Sequence, residues 1–139
     1  MKAVHETVSV RTRGKGTYEI TDDVARIVRS SGVTTGTATV FIRHTSASLV
    51  IYENADPSAR SDLHSWFERF VAEDDPAFVH TSEGPDDSTS HLRMALTRTS
   101  EVIPVLASRL TLGTWQGIFV FEHRRNPHWR TVDVMVMGT

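Results

Sequence analysis

Cysteine is absent from the 139 residues, which excludes disulfides, thiolate metal sites and cysteine nucleophiles together. An excess of positive charge is also missing. Lys and Arg number 15 against 17 Asp and Glu, a net charge of −2 with His neutral, so the balance predicts no broad basic face for nucleic acid. No apolar run approaches the ~20 residues of a membrane span, and the opening Met1-Lys2-Ala3-Val4-His5-Glu6 lacks the pattern of a signal peptide. A cytoplasmic protein with neither nucleic-acid nor membrane partners is the expectation. Several catalytic signatures are missing as well: no Gly-Xaa-Ser-Xaa-Gly elbow, Walker loop, dinucleotide fingerprint or His-Glu-Xaa-Xaa-His pattern occurs.

What remains has an ordinary globular balance, 39% hydrophobic and 23% charged, in a length that suits one domain, residues 1–139, with its own core. Seven histidines are the one compositional pointer to chemistry.

Along the chain, Thr7 to Arg11 alternates small polar residues with valine. Gly14 and Gly16 then predict a turn into Tyr18-Glu-Ile20, and so a first hairpin. Thr21 before Asp22 and Asp23 reads as an N-cap. Val24, Ile27 and Val28 give the following helix an apolar stripe, and Gly32 ends it. Gly36 to His44 is β-branched and apolar on both faces, the pattern of a central strand, and Leu49 to Tyr52 continues as a second strand or an extension of the first. Pro57 opens a second helix whose stripe is Ala59, Leu63, Trp66, Phe67 and Phe70. Ala72 to Ser88 is acidic and aperiodic, a length that is uncommon for a loop without a function. Ser88 or Thr89 caps a third helix with a stripe of Leu92, Ala95 and Leu96. Val102 to Leu106, Ile118 to His123 and Thr131 to Met137 close the chain as strands, with Pro104 placing the first of them at an edge or bulge. This order predicts an α+β fold, a β-rich domain with a mixed, mostly antiparallel sheet or sandwich and about three helices.

The chemistry-bearing residues fall in separate stretches. His44 follows an apolar strand, His80 lies in the acidic loop, and His91 stands in the predicted first turn of the third helix, where the dipole favours a neutral imidazole. Three such rings with an open position would make a catalytic zinc site, should they converge. Asp86 and Asp87 are paired carboxylates of the kind that hold Mg²⁺ beside phosphate oxygens, and equally the acids of a helix start. The cofactor expectation is therefore a divalent metal, Mg or Zn, with His44, His80, His91, Asp86 and Asp87 as its candidate ligands. Asp56 reads as an N-cap, which leaves Asn54 the better candidate for touching a ligand.

Gly113-Thr114-Trp115-Gln116-Gly117 allows close backbone approach to an anion, or a tight turn. Glu122 enters an apolar face and needs a partner or a raised pKa, and Arg124, Arg125 and Arg130 form a basic cluster suited to phosphate. Thr45, Ser46 and Ser48 add hydroxyls near His44. A serine nucleophile is not expected there, because neighbouring strand residues point to opposite faces and no oxyanion motif follows.

Taken together, His44-Thr-Ser-Ala-Ser48, Glu53-Asn-Ala-Asp-Pro57, Glu83-Gly-Pro-Asp-Asp87 with Ser90-His91, and Gly113-Thr-Trp-Gln-Gly117 with Glu122-His-Arg124 resemble, in order and spacing, the YjbQ family, the secondary thiamine-phosphate synthases. The likeness covers essentially the whole chain. It implies an α+β, β-rich fold and a homotrimer whose intersubunit clefts gather His44, Asn54, His80, His91 and Gln116. It also implies a transferase that joins hydroxymethylpyrimidine diphosphate to thiazole phosphate with loss of diphosphate.

On this reading His44, Asn54, His91, Gln116 and Glu122 serve catalysis, and Thr45, Ser46, Ser48, Gly113, Thr114, Arg124 and Arg130 bind the phosphorylated ligand. A metal-dependent hydrolase or a non-catalytic binder of a small phosphorylated molecule are the alternatives. Phe78 keeps the aromatic type common two residues before His80. Asn126-Pro-His-Trp-Arg130 departs from the Gly-rich, doubly basic turn common before the last strand.

Overall fold

A computed structural model describes residues 1–139. The elements are β1 (Lys2–Arg11), β2 (Gly16–Glu19), α1 (Thr21–Ser31), β3 (Thr35–Ile42), β4 (Ala47–Glu53), α2 (Pro57–Phe70), α3 (Asp87–Leu96), β5 (Ser100–Leu106), β6 (Arg109–Leu110), β7 (Gln116–Glu122) and β8 (Trp129–Gly138). Five strands form one sheet in the order β1-β8-β3-β5-β6 and three form another, β2-β7-β4. Every pairing is antiparallel, so this is an α+β domain without the parallel component that a mixed sheet would have.

The period-two pattern of the strands decides which faces meet. Val132, Val134 and Val136 of β8 line up in register with Ile42, Val40 and Ala38 of β3. All six are buried. They pack with Leu49 of β4, Ile118 and Val120 of β7, and Val24, Ile27 and Val28 of α1 in one continuous core. The opposite face of β7 carries Phe121, which takes an edge-to-face contact from Phe67 of α2 at 5.2 Å between ring centres; Val71 completes this smaller cluster.

Four local expectations are corrected. β1 pairs with β8 and β2 with β7, so no hairpin joins the first two strands. The turn between them instead carries the chain from one sheet to the other, and a side chain at Gly14 (φ +118°) would sit 2.8 Å from the Arg125 carbonyl oxygen. Thr21 does not cap α1. Its hydroxyl donates to Glu19 and accepts the Ile118 N–H, tying the helix start to β7.

The stripe of α2 is mostly unburied: only Phe67 is buried, while Trp66 and Phe70 stack on each other in the open at 4.6 Å. Finally, α3 starts at Asp87 and buries Asp87, Thr89, Ser90 and Arg93, the polar side of its sequence. Leu92 and Leu96, the expected core stripe, are exposed. Polar burial wins because Arg93 Nη2 donates to the Val71 carbonyl at 2.7 Å and Nη1 to Glu68 at 2.9 Å, so the buried cation is fully paired. Asp56 does cap α2, accepting the Ser58 N–H at 2.9 Å, and Gly32 ends α1 with φ 75°.

Phe67 is the one strong apolar tie between α2 and the sheets. Phe67→Ala should destabilise the fold by about 3 kcal/mol, read as a drop in urea midpoint; a loss below ~1 kcal/mol would mean that α2 is held by other contacts.

Candidate functional site

The end of the sandwich where β7 leaves its sheet and β8 enters its own is polar throughout, and its polar groups hold one another. Glu122 is completely buried. It accepts from Arg130 Nε at 2.8 Å, from Arg130 Nη2, and from the Thr12 hydroxyl at 2.7 Å. Burial pushes the Glu122 carboxyl up, but these hydrogen bonds outweigh it and hold the group below the usual range. Arg130 Nη2 also donates to the Ser46 hydroxyl at 2.9 Å. Glu122, Arg130 and Ser46, expected in catalysis or phosphate binding, are thus joined to each other inside the protein.

His44 belongs to the same framework. Its Nε2 accepts the Thr131 N–H at 2.9 Å, which anchors the ring to β8. Burial, and then the charge of Arg130, lower its pKa, so it stands as a neutral imidazole that fixes the strand end. Ser48 is buried too, in hydrogen bonds with His123 Nε2 at 2.8 Å and the Thr97 hydroxyl at 2.6 Å. His123, which the sequence reading passed over, is 1% exposed with no partner on Nδ1. Burial first, then the positive charge of Arg93 and Arg130, bring its pKa down to about 3.

The other two histidines do converge, with Asp87 where His44 was expected. His80 Nε2 lies 2.8 Å and His91 Nε2 3.0 Å from Asp87 Oδ2, and one ligand atom from each residue falls within 4.8 Å of the others. His91 stands in the second turn of α3, not the first, because the helix begins at Asp87. Its Nδ1 donates to the Thr45 carbonyl oxygen at 2.7 Å. That bond brings the helix against the residue next to His44, while the His44 ring turns the other way toward β8.

Arg124 closes the back of the cluster: Nη1 donates to Asp87 Oδ1 at 2.7 Å, Nε to Asp86 Oδ2 at 3.1 Å, and Nη2 to the Glu83 carbonyl at 3.1 Å. Burial pushes both carboxyls up, but for Asp86 the bonds from the Arg125 N–H and Arg124, and for Asp87 the bond from His80 with the charges of His91 and Arg124, leave them lowered. Asp86 Oδ2 also accepts the Arg125 N–H at 2.8 Å. Asp86 is therefore a bracket for the loop and no longer a free metal ligand, and Arg124 is no longer a free phosphate clamp.

The remaining predicted residues sit elsewhere. β4 and β7 pair from Ala47 opposite Glu122 to Glu53 opposite Gln116. Asn54 and Gln116 therefore lie about 20 Å along the strands from the His44 end. Asn54 Nδ2 donates to the Gln116 carbonyl at 3.3 Å. The Gln116 side chain turns back to accept the Gly113 N–H at 2.8 Å, so the Gly113–Gln116 turn is closed on itself and that N–H is not offered to an anion; Thr114 on it is exposed. Gly117 is required for packing: a side chain there would come within 2.7 Å of Glu19 Oε2 and 3.0 Å of Asn54. Of the hydroxyls near His44, only Thr45 faces solvent.

Comparison with known proteins matches residues 6–139 to a family described as UPF0047 protein YjbQ-like. Among curated relatives, a UPF0047 protein of Synechocystis is 50% identical over 133 residues, covering 96% of this chain and 90% of its own length. The UPF0047 protein YjbQ of Salmonella typhimurium is 39% identical, covering 95% and 96%. Two solved structures share the fold. A YbjQ-like protein of unknown function from Sulfolobus solfataricus superposes with a TM-score of 0.92 at 26% identity, covering 99% of both chains. An uncharacterised YjbQ/UPF0047 protein from Clostridium acetobutylicum gives 0.88 at 32%, covering 95% of this chain and 99% of its own.

Buried His123 makes the fold sensitive to pH. Its pKa is lowered to about 3 when folded, against an unfolded value near 6.5. The unfolded chain therefore binds the extra proton first, and stability falls as pH drops below about 6.5. His123→Phe should flatten the decline between about pH 6.5 and 5, where carboxylates contribute little, by up to ~1.4 kcal/mol per pH unit. Denaturation at fixed pH steps reads this; parallel curves for the two proteins would contradict it.

Proposed function

The chain belongs to the UPF0047 YjbQ-like family, and on that premise we propose that it is a transferase of the thiamine-phosphate synthase type acting on small phosphorylated substrates at the His80–Asp87–His91 cluster. In that reaction the thiazole nitrogen attacks the methylene carbon of hydroxymethylpyrimidine diphosphate. A C–N bond forms as the C–O bond breaks, and diphosphate leaves with the electron pair. The observation that supports this reading is the partly open pair of imidazoles over a buried carboxylate. A departing diphosphate needs preorganised donors and positive charge where its own charge grows. Arg124 and Arg130 are spent on Asp86, Asp87 and Glu122, so this task falls to the imidazole edge. His80, whose Nδ1 has no partner within the protein, holds and orients the leaving group, with Asp87 and His91 fixing its ring.

Asn54 and Gln116 cannot join this cluster within one chain, since they stand at the far end of β4 and β7. A homotrimer with sites between subunits reconciles their separation with a shared role. Its support is the outer face of the larger sheet, where Val102 and Met135 both stand opposite Thr39 in register, with Phe41 and Met137 nearby. These four apolar side chains are exposed, and clustered apolar surface of this kind suits burial against another copy. No helix is long and apolar enough to cross a membrane.

The close approach of two imidazole nitrogens and a carboxylate oxygen also favours a second reading, a metal-dependent hydrolase of small phosphoesters.

Purified protein given both substrates and a divalent cation should form thiamine phosphate at a rate about 100-fold above a His91→Ala variant. Product at the variant's rate would overturn the transferase reading, and diphosphate or phosphate release without thiamine phosphate would favour the hydrolase. Light scattering should give three times the chain mass, and Met137→Asp on the exposed sheet face should lower it; a monomeric wild type at micromolar concentration would remove the intersubunit arrangement.

A further inference from the structure

We propose that His80 Nε2, His91 Nε2 and Asp87 Oδ2 are the three protein ligands of a zinc-type divalent cation, with a further coordination position open to solvent. This concerns the same cluster as the transferase reading but does not depend on it, because binding is measured without substrate.

His91 Nδ1 is 2.7 Å from the Thr45 carbonyl oxygen, and a carbonyl only accepts, so Nδ1 carries the proton. A charged ring would donate from Nε2 to Asp87; without that second proton Nε2 presents a lone pair, the form in which imidazole binds a metal. That lone pair faces Asp87 Oδ2 at 3.0 Å, itself a negative acceptor, which leaves two electron-rich atoms in contact. A cation between them turns that repulsion into two bonds.

His80 Nε2 approaches the same oxygen at 2.8 Å, and the His80 and His91 ring centres lie 5.3 Å apart. Ligand atoms around a tetrahedral zinc stand about 3.3 Å from one another at its usual bond lengths. The observed spacings, all within 4.8 Å, therefore need only small side-chain movements.

The surroundings have the form that metal ligands require. A ligating histidine is held by a hydrogen bond from its other nitrogen, and a ligating carboxylate by a donor on its second oxygen. Here the Thr45 carbonyl takes the His91 Nδ1–H, and Arg124 Nη1 donates to Asp87 Oδ1 at 2.7 Å, so these two ligands are oriented toward one point, and His80 approaches it from the loop. Arg124 is itself balanced by Asp86 at 3.1 Å, which limits its repulsion of a bound cation.

Two imidazole nitrogens and one carboxylate oxygen favour Zn²⁺ or Co²⁺ over Mg²⁺, which prefers oxygen ligands and octahedral water. The donors are unequally exposed, the His80 side chain 50%, His91 35% and Asp87 7%. The ion would thus rest on a buried carboxylate with its outer side open, the arrangement of reactive sites more than of structural ones. It would also tie the acidic loop that carries His80 to α3.

Chelator-stripped full-length protein, dialysed against Zn²⁺ at micromolar free concentration, should retain one equivalent per chain by elemental analysis, with a raised Tm. His80→Gln and His91→Gln should each reduce zinc retention at least about tenfold, while His44→Gln should keep it, since His44 Nε2 is committed to the Thr131 N–H. Circular dichroism confirms that the variants fold. Co²⁺ substitution of the wild type decides the matter without any variant: the intense visible bands of low-coordinate Co²⁺ support the site. A spectrum of hexaaqua Co²⁺, less than stoichiometric zinc, or zinc retained by the His80→Gln/His91→Gln double variant would overturn it, leaving an imidazolium–carboxylate contact only.

Discussion

The buried ion pair between Arg130 and Glu122 is the contact on which the polar end of this molecule depends. It joins β8 of the larger sheet to β7 of the smaller one, and Thr12, just past β1, completes the carboxylate's hydrogen bonds. Two charges brought this far from water are tolerated only when every lone pair and N–H finds a partner. Here Arg130 Nη2 also donates to the Ser46 hydroxyl, Nη1 lies 3.4 Å from His44 Nδ1, and the backbone N–H groups of His123 and Arg124 turn toward Glu122 Oε2 at 3.1 and 3.2 Å. Because those N–H groups are used this way, the chain leaves β7 in a fixed direction, which delivers Arg124 to Asp86 and Asp87.

A succession of constraints then reaches the surface. Arg124 brackets the acidic loop to the start of α3 through both carboxylates. Arg93 locks the buried side of the same helix to the end of α2, and the Glu68 that it pairs with is lowered to about 2, first by that hydrogen bond. With α3 held on two sides, His91 meets the Thr45 carbonyl and His80 is brought to Asp87. Most polar residues that resemble a ligand-binding set therefore serve as framework. At this end of the molecule the exposed edges of His80 and His91 and the hydroxyl of Thr45 stay on the surface. This is preorganisation by burial: the framework spends its donors internally so that a few groups stand in one geometry.

Local rules worked where local physics decides. Asp56 with Pro57 at the start of α2, Gly32 at the end of α1, and the strand over Thr131 to Met137 are each set within a few residues, by capping, by a left-handed backbone and by strand-forming residues. They failed where a distant partner overrides the pattern. The apolar stripe of α3 predicts burial of Leu92 and Leu96, yet a paired Arg93 and a bonded Asp87 take the inside. The glycines after β1 predict a hairpin, yet β8 is the better mate for β1, with ten residues in register. Alternation places Glu122 of Phe-Glu-His-Arg on the apolar face, but nothing local marks the neighbouring His123 as sealed off too.

The sequence by itself determined the α+β class, most of the strands and helices, and the family, since periodicity, turn chemistry and motif order are written in the chain. Only the tertiary structure decided which of those side chains meet. His44 and His91 are 47 residues apart, and whether they share a site depends on which way a ring turns at the end of β3. The Thr131 N–H, donated from another strand, holds His44 toward β8, and Asp87 takes the place beside His80 and His91. Hydrogen-bond donors fixed by distant backbone have no local signature, and here they made that choice.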